Sequence, residues 1–112
     1  EFRRVLFRST ALDLPRALSL DFRPVDPQRF PMLGLARHCM RQGGLAPAVY
    51  NAANEVAVAA FLDNRLPFLA IPRIVEQTLA AMSLSEPTHL SEVLAADAEA
   101  RRRAEALVKP LA

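Results

Sequence analysis

The chain has 112 residues, of which 52% are hydrophobic and 23% are charged, and its formal net charge is +2. This length allows one small domain, and the high apolar content with low net charge excludes intrinsic disorder. The longest run without a polar residue covers only residues 56–62. A membrane-spanning helix needs about 20 such residues, so we expect no membrane span.

Few residues could carry catalytic chemistry. The single cysteine, Cys39, excludes a disulfide scaffold and a cysteine-based zinc site, and its apolar surroundings predict a buried small hydrophobe. His38 and His89 lie far apart with no ligand-like spacing, and the three glycines form no Gly-x-Gly pattern. We therefore expect no catalytic residue, no cofactor-binding residue and no metal ligand in this chain.

Residues 1–9 differ in character from the rest of the chain. They hold three of the 14 basic residues and resemble the in-frame translation of a sequencing-library adapter; the alternative is a natural basic, amphipathic N-terminus. Without them the chain has eleven basic and eleven acidic residues, so its charge does not support binding to nucleic acid or to a membrane surface. We expect residue 10 to begin a fragment whose N-terminal part is missing.

Residues 10–26 are predicted to be a linker that contains a strand without a partner. Residues 18–22 alternate apolar and polar side chains, the pattern of a half-buried strand, and Pro24 ends it. The only candidate partner, residues 66–69, contains Pro67, which restricts it to a sheet edge. We expect the strand to pair with polypeptide outside this chain; the alternative is an extended arm lying on the helices.

Residues 27–112 are predicted to form a helical domain. Pro31 opens the first helix, Gly43 and Gly44 end it, and Pro47 opens a second helix that runs to about Asp63. Apolar residues of the first helix fall on one stripe: Met32, Leu35, Ala36, Cys39 and Met40. The second helix has no polar residue over 56–62, which is typical of a helix at the centre of a bundle.

Two more helices complete the domain. The third opens at Pro72 and shows the most regular amphipathic pattern: Ile71, Ile74, Val75, Thr78, Leu79 and Met82. The fourth begins near Ser91, with one set of residues predicted to face inward: Leu94, Ala98, Leu107 and Leu111. Its Arg101, Arg102 and Arg103 are expected on a solvated face beside acidic residues. The predicted fold is all-α, a small bundle of about four helices with an extended N-terminal arm or strand.

One local group of polar residues lies on the otherwise apolar second helix. Asn51, Asn54 and Glu55 fall within an arc of roughly 100° on one side of the helix. They could bind a polar ligand or orient the outer shell of a metal. The structural interpretation, which we favour, is that they hydrogen-bond neighbouring backbone at the end of the bundle. That interpretation predicts that Asn54→Leu destabilises the fold by a few kcal/mol.

A series of motifs resembles the C-terminal region of the 1-deoxy-D-xylulose 5-phosphate reductoisomerase family. The resemblance covers about residues 12–112. The matching motifs, in chain order, are Leu20-Asp21-Phe22, residues 26–36, Gly43-Gly44-x-x-Pro47, residues 51–62, Phe68-x-x-Ile71 and residues 97–101.

The resemblance implies a function for the whole family polypeptide. Its enzymes convert 1-deoxy-D-xylulose 5-phosphate to 2-C-methyl-D-erythritol 4-phosphate in isoprenoid biosynthesis, in the cytoplasm, with NADPH and Mg²⁺ or Mn²⁺. The cofactor, metal and substrate residues lie in an N-terminal and a catalytic domain, and no position here matches them. The resemblance also implies a homodimer when full length. We expect this chain to be an inactive scaffold whose partners are the missing domains.

The alternative is a free-standing helical protein-interaction module, for example a dimer that buries the third helix.

Overall fold

The computed structural model describes residues 10–16 and 18–111, so residues 1–9 lie outside it. Within the described part, four α-helices follow one another: α1 Pro31–Gln42, α2 Ala46–Leu62, α3 Ile71–Ala80 and α4 Leu90–Val108. Two short 3₁₀ turns, Phe68–Ala70 and Lys109–Leu111, precede α3 and follow α4. The all-α bundle of about four helices is therefore confirmed. The division into residues 1–9, 10–26 and 27–112 stays a prediction.

Helix α2 lies at the centre of the bundle and contacts α1, α3 and α4. Its buried residues are small: Ala46, Val49, Ala52, Ala53, Ala57 and Ala60. The predicted central position is confirmed, but the apolar stretch is not buried all round. Leu62 is 71% exposed and Ala59 is exposed, because the three neighbouring helices leave one side of α2 uncovered.

Helices α1 and α3 follow their predicted stripes closely. In α3, the buried residues are Ile71, Ile74, Val75, Thr78 and Leu79. The buried hydroxyl of Thr78 donates a hydrogen bond to the carbonyl oxygen of Ile74 at 2.8 Å, which satisfies the one polar side chain on this face. In α1, Cys39 is buried but Met40 is 69% exposed. Met40 was placed on the stripe, yet it follows Cys39 by one residue and is turned about 100° away from it.

The predicted inward face of α4 is wrong for Leu94, Ala98 and Leu111 and right for Leu107, which is half-buried and packs against the core. The buried residues are Ala96, Ala100, Ala104 and Val108, which recur every four residues. Leu94 is 61% exposed, Leu111 is 39% exposed and Ala98 is exposed. The alanines of α4 face the core because the facing surface of α2 is also formed by alanines. Small side chains on both helices let the two backbones approach closely. The larger Leu94 and Leu111 stay outside that narrow space.

Residues 18–22 form no strand in the described part of the chain. Leu20 and Phe22 are 69% and 87% exposed, so this arm does not lie on the helices either. The candidate partner segment instead supplies the 3₁₀ turn Phe68–Ala70 before α3. A strand needs a neighbour for its backbone groups, and the described residues supply none.

The turn between α1 and α2 packs tightly against the segment that leaves α3. Gly43 and Gly44 have φ angles of 68° and 57°, which confirms the predicted helix end. The backbone N–H of Leu45 donates to the carbonyl oxygen of Leu84 at 3.3 Å. A Cβ atom at Gly44 would overlap that same oxygen. The turn thus joins the start of α2 to the connection between α3 and α4.

Candidate functional site

The predicted polar cluster on α2 divides between two places. The amide of Asn51 donates to Glu55 Oε1 at 3.5 Å, and Arg101 Nη2 of α4 donates to Glu55 Oε2 at 2.7 Å. Asn54 is half-buried and faces a groove on another side of α2. The hydrogen bonds of Asn51 and Glu55 therefore run to side chains rather than to the predicted backbone groups, because an arginine of α4 lies close enough to take the carboxylate.

Arg101 links α4 to α2 through its ion pair with Glu55 and also pairs with Asp97 within α4. Its Nε donates to Asp97 Oδ2 at 2.8 Å in addition to the contact with Glu55. The hydrogen bond from Arg101 holds the pKa of Asp97 below its ordinary value, and the two carboxylates raise the pKa of Arg101. Arg101 and Asp97 are 39% and 35% exposed, so each pair is worth about 0.5 kcal/mol. The arrangement is a structural cross-link with no free base.

The remaining arginines of α4 are also paired. Arg103 Nε donates to Glu99 Oε1 at 2.7 Å, and Arg102 Nε donates to Glu99 Oε2 at 3.1 Å. Arg65, at the end of α2, donates to Glu105 Oε1 at 2.9 Å. Arg102 and Arg103 therefore lie on an exposed helix face beside an acidic residue, as predicted.

Cys39 is a buried packing residue, as predicted. It is 2% exposed, and burial raises the pKa of its thiol, which keeps the thiol protonated and unreactive. The hydroxyl of Tyr50 donates to the carbonyl oxygen of Met32 at 3.1 Å and joins α2 to the start of α1. Burial raises the pKa of the Tyr50 hydroxyl, and the electrostatic effect of the nearby Cys39 raises it further. Neither group is poised as a nucleophile or base at neutral pH.

His89 caps the start of α4 and carries no chemistry. The backbone N–H of Glu92 donates to the His89 carbonyl oxygen at 3.1 Å, while the Glu92 carboxylate accepts from the His89 backbone N–H at 3.2 Å. The contact with the carboxylate is one half of a capping box, and it satisfies a backbone donor at the start of the helix. Hydrogen bonds from the N–H groups of Thr88 and His89 lower the pKa of Glu92.

The structure also has an open apolar groove of about 480 Å³ that sequence reasoning missed. It lies between residues 28–31, where the N-terminal arm meets α1, and the neighbouring parts of α2 and the start of α3. Its walls comprise Phe30, Met32, Val58, Phe68, Leu69 and Pro72. Phe68 stacks edge-to-face on Phe61 with ring centroids 5.4 Å apart, which fixes the 3₁₀ turn against α2. The available signal was a connector, residues 66–69, that is apolar where loops are usually polar.

The described residues hold no ready metal site. Among residues 10–16 and 18–111, no three His, Cys, Asp or Glu side chains converge where they could hold an ion. None of the helices in that part of the chain is both long and apolar enough to traverse a bilayer. The fold and the site together define a small helical domain with an open apolar groove.

Comparison with known proteins gives that domain its family. The chain belongs to the DXP reductoisomerase C-terminal domain family, whose model matches residues 3–103. The match begins inside residues 1–9, so the adapter interpretation of that segment stays a prediction.

Several 1-deoxy-D-xylulose 5-phosphate reductoisomerases are similar to this chain. The one from Rhodospirillum centenum is 50% identical over 105 residues, which are 94% of this chain and 26% of the relative. The one from Zymomonas mobilis is 45% identical over 109 residues, 97% of this chain and 28% of the relative. A solved structure of the Zymomonas mobilis enzyme in complex with NADPH aligns with a TM-score of 0.80 and 46% identity, covering 90% of this chain and 27% of that one. The chain thus spans about a quarter of the length of its relatives.

Proposed function

We propose that the chain is the C-terminal scaffold domain of an NADPH- and metal-dependent 1-deoxy-D-xylulose 5-phosphate reductoisomerase. The whole enzyme would convert its substrate to 2-C-methyl-D-erythritol 4-phosphate in isoprenoid biosynthesis, as a cytoplasmic homodimer. The observation that carries the proposal is 50% identity along 94% of this chain, confined to 26% of a named reductoisomerase. The helical domain would brace the catalytic domain and support its closure around substrate.

The residues of this chain support a scaffold role rather than a catalytic one. Mg²⁺ and Mn²⁺ prefer free carboxylate oxygens, but Glu55, Asp97 and Glu99 are all paired with arginines. No three His, Cys, Asp or Glu side chains come together elsewhere among the described residues, so we assign the metal and NADPH to the remainder of the family polypeptide. The chain alone is expected neither to bind NADPH tightly nor to turn over substrate.

The test is a chimera of the Zymomonas mobilis enzyme in which this chain replaces the region it matches. The chimera should oxidise NADPH in the presence of substrate and Mg²⁺, while the same enzyme without that region should lose activity or melt at a lower temperature. The isolated chain, mixed with the same components, is the matched control and should leave nicotinamide absorbance unchanged. Metal-dependent NADPH oxidation by the isolated chain would contradict the scaffold role.

A free-standing interaction module is the second candidate, favoured by the open apolar groove. Its predicted form, a dimer through the third helix, finds no support, because the apolar face of α3 already packs on α2 and α4. Extending the reading frame upstream in the source DNA separates the two candidates. A glycine-rich nucleotide-binding fold there supports the enzyme, and a start codon near residue 10 supports the module.

A further inference from the structure

The groove exposes large apolar side chains that the bundle itself does not use. Phe30, Phe68 and Leu69 are 51%, 60% and 80% exposed, and all three line the same depression. Exposed apolar surface that is contiguous and concave is typical of a contact with another polypeptide. The exposed leucines of α4, Leu90 and Leu94, do not line this depression.

Two arginines stand at the rim of this groove without an acidic partner among the described residues. Arg29 and Arg73 both line the groove, and the Arg29 guanidinium lies 5.6 Å from the ring centroid of Phe30. Salt bridges in the described part of the chain hold six other arginines: Arg16, Arg23, Arg65, Arg101, Arg102 and Arg103. Glu76 is the single acidic residue among the lining residues. The rim therefore favours a partner that carries a carboxylate beside an apolar side chain.

We propose that the groove docks a segment of the preceding domains of the same family polypeptide, with an apolar side chain in the groove and a carboxylate against Arg29 and Arg73. This rests on the proposed scaffold function and names the surface that performs it. The relatives carry about three times as much polypeptide outside the matched region as inside it. Residues 28–31, where the N-terminal arm meets α1, form one wall of the groove. Polypeptide that is joined to the arm is therefore held beside the groove. Such a tether raises the effective concentration to about the millimolar range.

Thiol labelling in the chimera tests the proposal without requiring a stability change. Leu69→Cys places a thiol in the groove, and Leu94→Cys places a matched control thiol on the outer side of α4. Buried Cys39 contributes little background. We expect maleimide labelling at position 69 to be at least about tenfold slower in the NADPH-oxidising chimera than in the isolated chain, and labelling at position 94 to differ by less than about twofold.

Charge reversal tests the second half of the proposal. Adding Arg29→Glu and Arg73→Glu to the Leu69→Cys chimera should restore rapid labelling at position 69. The control pair, Arg37→Glu and Arg41→Glu, changes exposed arginines of α1 that do not line the groove and should leave labelling slow. Equal effects of the two pairs would overturn the assignment of the arginines.

The other outcomes separate the groove from the proposed function. Rapid labelling at position 69 in an active chimera overturns the groove proposal and leaves the proposed scaffold function intact. Protection at position 94 as strong as that at position 69 has the same consequence. Protection in the isolated chain that increases with concentration assigns the groove to a second copy and also overturns the proposal. If the chimera is inactive, the proposed function fails there, and cysteines at the aligned positions of the Zymomonas mobilis enzyme, whose complex with NADPH is solved, decide the groove proposal.

Discussion

The three glycines of this chain permit a sharp test of the packing between the α1–α2 turn and the segment after α3. A Cβ atom at Gly34 or at Gly43 would meet nothing within 4 Å, whereas at Gly44 it would overlap the Leu84 carbonyl oxygen and lie 3.0 Å from that of Ser85. Gly43 and Gly44 also have positive φ angles, and Gly34 lies inside α1. Alanine at Gly34 therefore tests helix propensity alone, and alanine at Gly43 tests backbone strain. Alanine at Gly44 tests backbone strain together with steric contact.

The expected free energies of unfolding differ in sign and size. Gly34→Ala should stabilise by about 0.5–1 kcal/mol, because alanine restricts the unfolded chain and favours helix. Gly43 has φ 68° and ψ −149°, a region almost exclusive to glycine, so Gly43→Ala should cost about 1–3 kcal/mol. Gly44→Ala adds overpacking of about 1–3 kcal/mol to a left-handed strain of about 1–2 kcal/mol, which amounts to about 2–5 kcal/mol.

Thermal and urea unfolding of the unchanged chain and the three alanine variants measure the order of these free energies. In a domain of this size, 1 kcal/mol moves the melting temperature by about 4–8 °C, so the extremes should lie well over 10 °C apart. Gly43→Ala is the matched control for Gly44→Ala, since both need positive φ but only one meets backbone oxygens. A Gly44→Ala cost below about 2 kcal/mol, which left-handed strain alone would explain, would refute the close approach of residues 84–85.

The remaining expectations concern α4 and the join between α1 and α2. Ala100→Leu should cost about 1–3 kcal/mol in urea unfolding, while Ala98→Leu on the exposed side should stay within about 0.5 kcal/mol; equal costs would contradict the register. Tyr50→Phe removes the hydrogen bond to the α1 backbone and should cost about 1 kcal/mol by the same measurement. Arginine hydrogen bonds lower the pKa values of Asp97 and Glu99, ordinarily 3.8 and 4.5. The stabilisation from these hydrogen bonds is therefore full above the ordinary pKa values and is lost as the pH falls through the lower pKa values of the folded state. Asp97→Asn should reduce the amount by which acidification lowers the free energy of unfolding.

Much of the fold follows from local patterns. The α3 stripe from Ile71 to Leu79 is predictable because its large aliphatic residues recur at helical spacing and one neighbour set covers them all. The turn at Gly43 is predictable because few residues other than glycine adopt its backbone angles. Both features depend on neighbours close in sequence, or on one well-defined face.

The register of α4 and the apolar groove could not be predicted in the same way. Which face of α4 turns inward depends on the alanines of α2, which lie some forty residues away in sequence, and hydropathy ranks Leu94 above Ala96. The groove arises where the arm, α2 and the 3₁₀ turn meet, so no single segment contains it. The hydrogen-bond partner of Glu55 was not predictable for a similar reason, since it is Arg101, 46 residues further along the chain.

The distribution of aromatic residues connects the stability of this domain to its proposed role. The largest fully buried side chains are Ile74, Val49, Val75, Val108, Thr78 and Cys39, and none of them is aromatic. The four described phenylalanines lie instead on the arm, at the groove or half-buried beside it. Aromatic side chains contribute the most apolar area per residue, so a bundle that leaves them outside forgoes stability it could have had alone. We expect the same helices to unfold at a higher temperature within the chimera than in isolation, because only there can these rings be covered.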